Sequence, residues 1–259
     1  MNNFEENYSL VLRECLRAKN VVTGRNGKVR QLIGVQIKAD LLNGFPIVTG
    51  KKIFPRSIFI ETEWMLKGLT NVKYLNDRGV NIWDKWADEN GDLGPVYGAQ
   101  IVNFNGIDQK KRLIDGLKTE LNSRRHIVTM WNPFELHSMR LPPCHYSFQI
   151  VHQNGYLSVV VSMRSLDLFV GLPYDIVMYS TILSSICKEL KLKEGQVIIN
   201  AANAHVYEEH VGAAASYIGR KKHSLPKLVK TTTFSNFRED EIQIENYNYE
   251  PRIKVNVKK

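Results

Sequence analysis

The chain has 259 residues, a length suited to one large domain rather than two full ones, and 43% of them are hydrophobic, which excludes a disordered or fibrous chain. A formal charge of +9 and a pI near 9.4 point to an anionic partner: nucleic acid, a membrane surface or a small phosphorylated substrate. The three cysteines, Cys15, Cys144 and Cys187, form no closely spaced pair, which argues against a disulfide framework or a zinc site and for a reducing, cytoplasmic setting.

The first residues lack the basic-then-apolar pattern of a signal peptide, and no apolar run nears the roughly 20 residues that span a bilayer. Phe4, Tyr8, Val11 and Cys15, with Leu12 and Leu16, share one helical face. Val35, Ile37, Ala39 and Leu41 alternate as in a half-buried strand. Pro55 suits the first turn of a helix that runs through Trp64-Met65-Leu66, and Leu113, Ile114, Leu117 and Leu121 predict another. Residues 127–131 read as a strand. Residues 146–153 and 157–163 read as two more, with Asn154-Gly155 as the hairpin turn between them. Over 175–192, Ile176, Tyr179, Leu183, Ile186 and Leu190 recur at helical spacing and predict a long buried helix. A strand at 197–200 and a helix from about Tyr207 follow. Hairpins mixed with packed helices predict an α+β class, as a single domain over 1–259. Cys15 and Cys187 lie on apolar helical faces and read as core. The basic clusters at Lys51-Lys52, Lys110-Lys111-Arg112, Arg220-Lys221-Lys222 and Lys258-Lys259 read as solvated surface.

Pro142-Pro143-Cys144-His145, followed by Arg164-Ser165-Leu166-Asp167 and Gly171-Leu172-Pro173-Tyr174, resembles the thymidylate synthase family. So do the run from Asn81 to Gly98, Gly44-Phe45-Pro46-Ile47-Val48-Thr49, Ser123-Arg124-Arg125, His205-Val206-Tyr207 and Tyr249-Glu250-Pro251-Arg252-Ile253-Lys254, all in order. The resemblance spans nearly the whole chain. It implies a thymidylate synthase-like mixed sheet packed with helices and a homodimer. It also implies a pyrimidine nucleoside monophosphate as substrate and 5,10-methylenetetrahydrofolate as one-carbon donor.

The residues make chemical sense beside the resemblance. Carbon 5 of a pyrimidine is a poor nucleophile, and a thiolate adding at carbon 6 makes it enamine-like. Nearby arginines favour the thiolate. The resemblance makes Cys144 that nucleophile and Arg164 that arginine. It gives the phosphate to Arg164 and Ser165, with Arg124 and Arg125 reaching across from the partner, since guanidinium groups grip phosphate bidentately. His205 and Tyr207 match residues on the sugar hydroxyl. Trp83, Leu141, Asp167, Gly171 and Tyr174 match the folate site, with Asp167 near the nucleotide as well. Glu61 matches a glutamate that organises water and protons at the base, Glu63 being the alternative register. Tyr97 and His145 match groups near the carbon-5 proton. The family's Arg-Thr-Gly loop reads Val22-Thr23-Gly24 here, with Arg25 as the candidate replacement for the missing arginine.

The chain departs from the synthases at four places. Asp175 stands where members acting on uracil usually carry Asn. A protonated Asp offers a donor and an acceptor that match cytosine, and an ionised one pairs with cytosine protonated at N3; an ionised Asp facing uracil O4 has no donor. Met163 stands where Gln is usual, Asn203 where Asp is usual, and the chain ends on Lys258-Lys259 rather than an apolar residue. A looser closure there would admit water, which yields hydroxymethyl where hydride yields methyl. The expected reaction is therefore that of the deoxycytidylate hydroxymethylases, on dCMP or CMP. The alternatives are thymidylate synthesis from dUMP and C5-methylation of dCMP. No metal is expected. A nucleic-acid-binding protein is the reading from another class, but no base-stacking motif or recognition helix favours it. The Asn- and Lys-rich composition suits an AT-rich genome or a phage gene acting in its host's cytoplasm.

Overall fold

The structure is a computed structural model that describes residues 3–19, 21–24 and 26–255. The chain opens with helix α1 (Asn3–Arg17) and strands β1 (Val21–Gly24) and β2 (Gly27–Asp40). Helices α2 (Pro55–Leu66), α3 (Lys73–Asn76), α4 (Gly98–Val102) and α5 (Gln109–Thr119) follow. Next come β3 (Ile127–Thr129), β4 (His145–Gln153), β5 (Tyr156–Met163), β6 (Leu166–Asp167) and α6 (Leu172–Leu190). The chain continues with β7 (Lys193–Tyr207), α7 (Val211–Ile218), β8 (Lys227–Lys230) and β9 (Gln243–Glu245). The terminal Lys258-Lys259 cluster lies outside the described residues.

The main sheet has the order β1-β2-β7-β5-β4-β3, with β6 paired beside β7. β7 runs parallel to β5 and β6 and antiparallel to β2, which makes the sheet mixed as expected. β4 and β5 form the predicted hairpin. Asn154 and Gly155 take φ of 52° and 83°, the left-handed pair that a tight two-residue turn needs. Leu157, Val159, Val161 and Met163 of β5 and Val197, Ile199 and Ala201 of β7 all face one side, where α6 packs. The predicted α1 face is buried at Phe4, Tyr8, Leu12 and Cys15, and Cys187 is buried too. Each fully buried large apolar side chain contributes about 1.5–3 kcal/mol. Within α6, Ser180, Thr181 and Ser185 return their hydroxyls to carbonyls four residues back, so a polar helix can sit in the core.

Four expectations shift. The strand predicted at 197–200 runs from Lys193 to Tyr207, because β2 pairs with it along almost its whole length. No helix starts at Tyr207: the strand ends there, a single turn follows at Glu208–His210, and α7 begins at Val211. β3 stops at Thr129, short of Trp131. Lys51 is buried rather than solvated; its ammonium donates to the Phe169 carbonyl (2.6 Å) and sits 3.8 Å from the Phe169 ring centroid.

Candidate active site

Cys144 precedes β4, and Arg164 follows β5, the neighbouring strand. The hairpin thus brings two residues 20 apart in sequence together, and Arg164 N donates to the Cys144 carbonyl at 2.9 Å. Nε and Nη2 of Arg164 donate to the carbonyls of Pro143 (2.9 Å) and Pro142 (2.7 Å), which aims the guanidinium so that Nη2 lies 3.8 Å from Cys144 Sγ. The two prolines matter because their carbonyls are fixed acceptors in an irregular segment. A half-buried sulfur beside a fixed cation can carry negative charge. Ser165 is half-buried directly after Arg164.

The far side of Cys144 is aromatic. Its backbone N–H donates to the Tyr97 hydroxyl at 2.8 Å, and the Tyr97 ring lies 4.4 Å from the buried His145 ring. His145 Nδ1 is 2.6 Å from the Tyr179 hydroxyl on α6. Burial pushes His145 down to about 3, so it works as a neutral imidazole. Tyr97 is carried by a loop whose Gly94 takes φ of 74°, where an added Cβ would meet the Ser138 carbonyl oxygen at 2.1 Å. Trp83, from the same loop, lies 5.8 Å from Tyr97 by ring centroids and donates Nε1–H to Glu61 Oε1 at 2.7 Å. Burial raises Glu61 to about 7, with the Trp83 hydrogen bond opposing. Glu63 points elsewhere: it pairs with Lys67 (2.6 Å) and accepts from Glu239 N (2.8 Å).

The first turn of α6 supplies Asp175. Burial first, then the nearby Glu61 and Asp167 carboxylates, raise its pKa to about 8, so it is mostly protonated at neutral pH. Gly171 keeps the space between Asp167 and Asp175 open; a Cβ there would come 3.1 Å from the Asp167 carbonyl and 3.5 Å from Asp175 Oδ2. Asp167 turns the chain, its Oδ1 accepting from the N–H groups of Phe169 and Val170 at 2.9 Å each. Tyr8 braces this turn by donating to the Leu168 carbonyl (2.7 Å), and Lys51 braces it through Phe169. Asp167 pairs across the sheet with His205, whose ring lies 5.3 Å from that of Tyr207. Leu141 and Tyr174 are half-buried at the ends of the same region.

Two predicted residues, both expected to reach a partner's site, do not join this group. Arg124 and Arg125 are exposed before β3, and the Arg125 guanidinium makes a long 3.7 Å contact to Glu120. Arg25 lies outside the described residues; Val22 is exposed in β1. The structure adds Tyr179, Lys51, Gln31 and the side chain of Asn203 to the surroundings of the site. Tyr179 lay inside an apolar helical pattern and Lys51 beside another lysine, so neither carried a separable signal. A cavity of about 580 Å³ behind α6, lined by Lys188, Lys230, Asp240 and others, contains none of the site residues. Among the described residues no cluster of His, Cys, Asp and Glu could hold a metal, and no helix is long and apolar enough to cross a membrane.

A family model described as thymidylate synthase matches residues 2–259. The chain belongs to the thymidylate synthase family. Thymidylate synthases of three Coxiella burnetii strains, Dugway 5J108-111, RSA 331 / Henzerling II and RSA 493 / Nine Mile phase I, are each 39% identical to it over 244 residues. Those matches cover 91% of this chain and 92% of each relative. Members of the family are one-carbon transferases that use methylenetetrahydrofolate and act at carbon 5 of a pyrimidine nucleotide.

Proposed function

We propose that this member of the family hydroxymethylates carbon 5 of a cytosine nucleotide, dCMP or CMP, through a covalent adduct of Cys144 with carbon 6. The observation that carries the reading is Asp175: a carboxyl in the first turn of α6, held largely protonated by burial and by two neighbouring carboxylates. Such a group presents a proton to N3 of cytosine and a carbonyl oxygen to its amino group.

Each remaining side chain has a part in this scheme. Arg164 holds Cys144 Sγ beside a positive charge and, with Ser165, takes the phosphate. Glu61, at about 7, is poised to relay protons near neutral pH, and Tyr97 and the neutral His145 flank carbon 5. His205 and Tyr207 meet the sugar. The half-buried faces of Trp83, Leu141 and Tyr174, the gap at Gly171 and the carboxylate of Asp167 fit a flat heterocycle with a donor edge, as the pterin of a folate is. When bound, that folate supplies a one-carbon unit at the formaldehyde oxidation level. Arg124 and Arg125 serve the site of a second copy of the chain; their exposure and the bare outer face of the sheet, where Ile33 is 82% exposed, support a homodimer.

The test is purified protein with methylenetetrahydrofolate and dCMP tritiated at carbon 5. Tritium release, a product heavier by one CH₂O and no rise in dihydrofolate absorbance support the reading. Conversion of dUMP to dTMP with dihydrofolate formation overturns it. That second reading, thymidylate synthesis, is favoured by the name of the Coxiella relatives. Dihydrofolate formed with dCMP marks a cytidylate C5-methylase instead.

A further inference from the structure

Asn203 sits two residues before His205 on β7, so both side chains stand on one face of the sheet, beside Gln31 of the paired strand β2. Asn203 Nδ2 donates to Gln31 Oε1 at 2.7 Å, and Asn203 Oδ1 lies 3.0 Å from His205 Nδ1. An amide has one donating and one accepting end. With the donating end spent on Gln31, the oxygen can be met only by an N–H on His205. We infer that Gln31 and Asn203 are positioning residues that lock His205 in the Nδ1–H tautomer, leaving Nε2 as a hydrogen-bond acceptor for a donating sugar hydroxyl of the nucleotide.

Burial lowers the pKa of His205, with the charge of Asp167 on β6 opposing, so the ring stays neutral near pH 7 and Nε2 keeps its lone pair. Tyr207, on the same strand, is a further titratable group against the ring. Among the described residues no protein group hydrogen-bonds to Nε2. A nucleotide lacking the hydroxyl would leave that acceptor unpaired, a loss of ~10- to ~100-fold in kcat/KM. The inference deepens the proposed nucleotide site and rests on His205 facing the sugar.

The experiment uses the full chain labelled with ¹⁵N. Long-range proton–nitrogen correlation spectra of the free protein, with His205→Gln to assign the signal, read the tautomer directly. The expected state is Nδ1–H in the wild type. It is retained in Asn203→Asp, which keeps the acceptor, and in Gln31→Glu, which keeps the acceptor toward Asn203. It is lost to a mixture in Asn203→Ala. In kinetics, dCMP is compared with its 2′,3′-dideoxy analogue, or dUMP with its own if dUMP is the substrate. Asn203→Ala should shrink the wild-type preference for the hydroxyl about tenfold, through KM rather than kcat. An Nε2–H tautomer in the wild type overturns the inference, as does a preference unchanged in Asn203→Ala. Failure of dCMP, CMP and dUMP alike to turn over would instead count against the proposed function, and the tautomer measurement would still decide the present one.

Discussion

Replacing Asp175 by Asn tests the base assignment most directly. At pH 7 a carboxyl with a pKa of about 8 is protonated about ten times as often as it is ionised. Toward cytosine its proton meets N3, a genuine base, and its carbonyl oxygen meets the amino group; toward uracil the proton turns to O4, a far weaker base. Neutral hydrogen bonds contribute about 0.5–1.5 kcal/mol, so this preference is ~1 kcal/mol at most. An amide held in the orientation that suits uracil sets its oxygen against N3 of cytosine, and two acceptors facing each other away from water cost about 1–3 kcal/mol. The amide therefore removes the first advantage and imposes the second penalty on cytosine. Together the ratio of kcat/KM for dCMP over dUMP should fall by about 1–4 kcal/mol, or ~5- to ~1000-fold. Tritium release from the two labelled nucleotides at saturating folate measures it, and an unchanged ratio refutes the role given to Asp175. The variant also reports on the carboxyl itself. Its folded-state pKa is raised from 3.8, so its contribution to stability is full below about pH 4 and is lost as pH rises toward about 8. Asn has no such loss. The variant should therefore gain on the wild type between these limits, by roughly a few kcal/mol at most because the group is only half-buried. Thermal melts at about pH 5 and about pH 8 that move in parallel for the two proteins would contradict the raised pKa.

Cys144→Ala should reduce tritium release to background while urea unfolding shifts by less than about 1 kcal/mol, since the side chain is half-buried and the backbone bond to Tyr97 survives. Arg164→Lys should raise the nucleotide KM by about tenfold or more and slow alkylation of Cys144, because an ammonium cannot span the carbonyls of Pro142 and Pro143 while facing the sulfur. Tyr179→Phe should cost about 1–3 kcal/mol in urea unfolding by leaving His145 Nδ1 without its buried partner; a neutral result would show that water replaces the hydroxyl.

The elements legible from sequence are those whose local chemistry and burial agree. Asn154-Gly155 between alternating strands can hardly be anything but a hairpin, and Pro55 opens its helix where expected. The end of β7 was hidden because Ala201, Ala202, Asn203 and Ala204 have weak strand preference. Pairing with β2 on one side, and with β5 at Ala201 and β6 at Ala204 on the other, keeps them extended. Position 61 against 63 could not be separated on one helix by spacing alone. The structure turns the first toward Trp83 and the second toward Lys67. Lys51 shows the limit of reading charge as exposure: a carbonyl and a ring face satisfy the ammonium in the interior.

The grip on Cys144 passes through main-chain atoms: its N–H is tied to Tyr97 and its carbonyl to Arg164 N. An inert residue at this position would therefore inherit the surrounding mould almost unchanged. Such a protein could serve as bait for small molecules, retaining from a nucleotide mixture whichever base the intact enzyme is shaped to receive but unable to alter it.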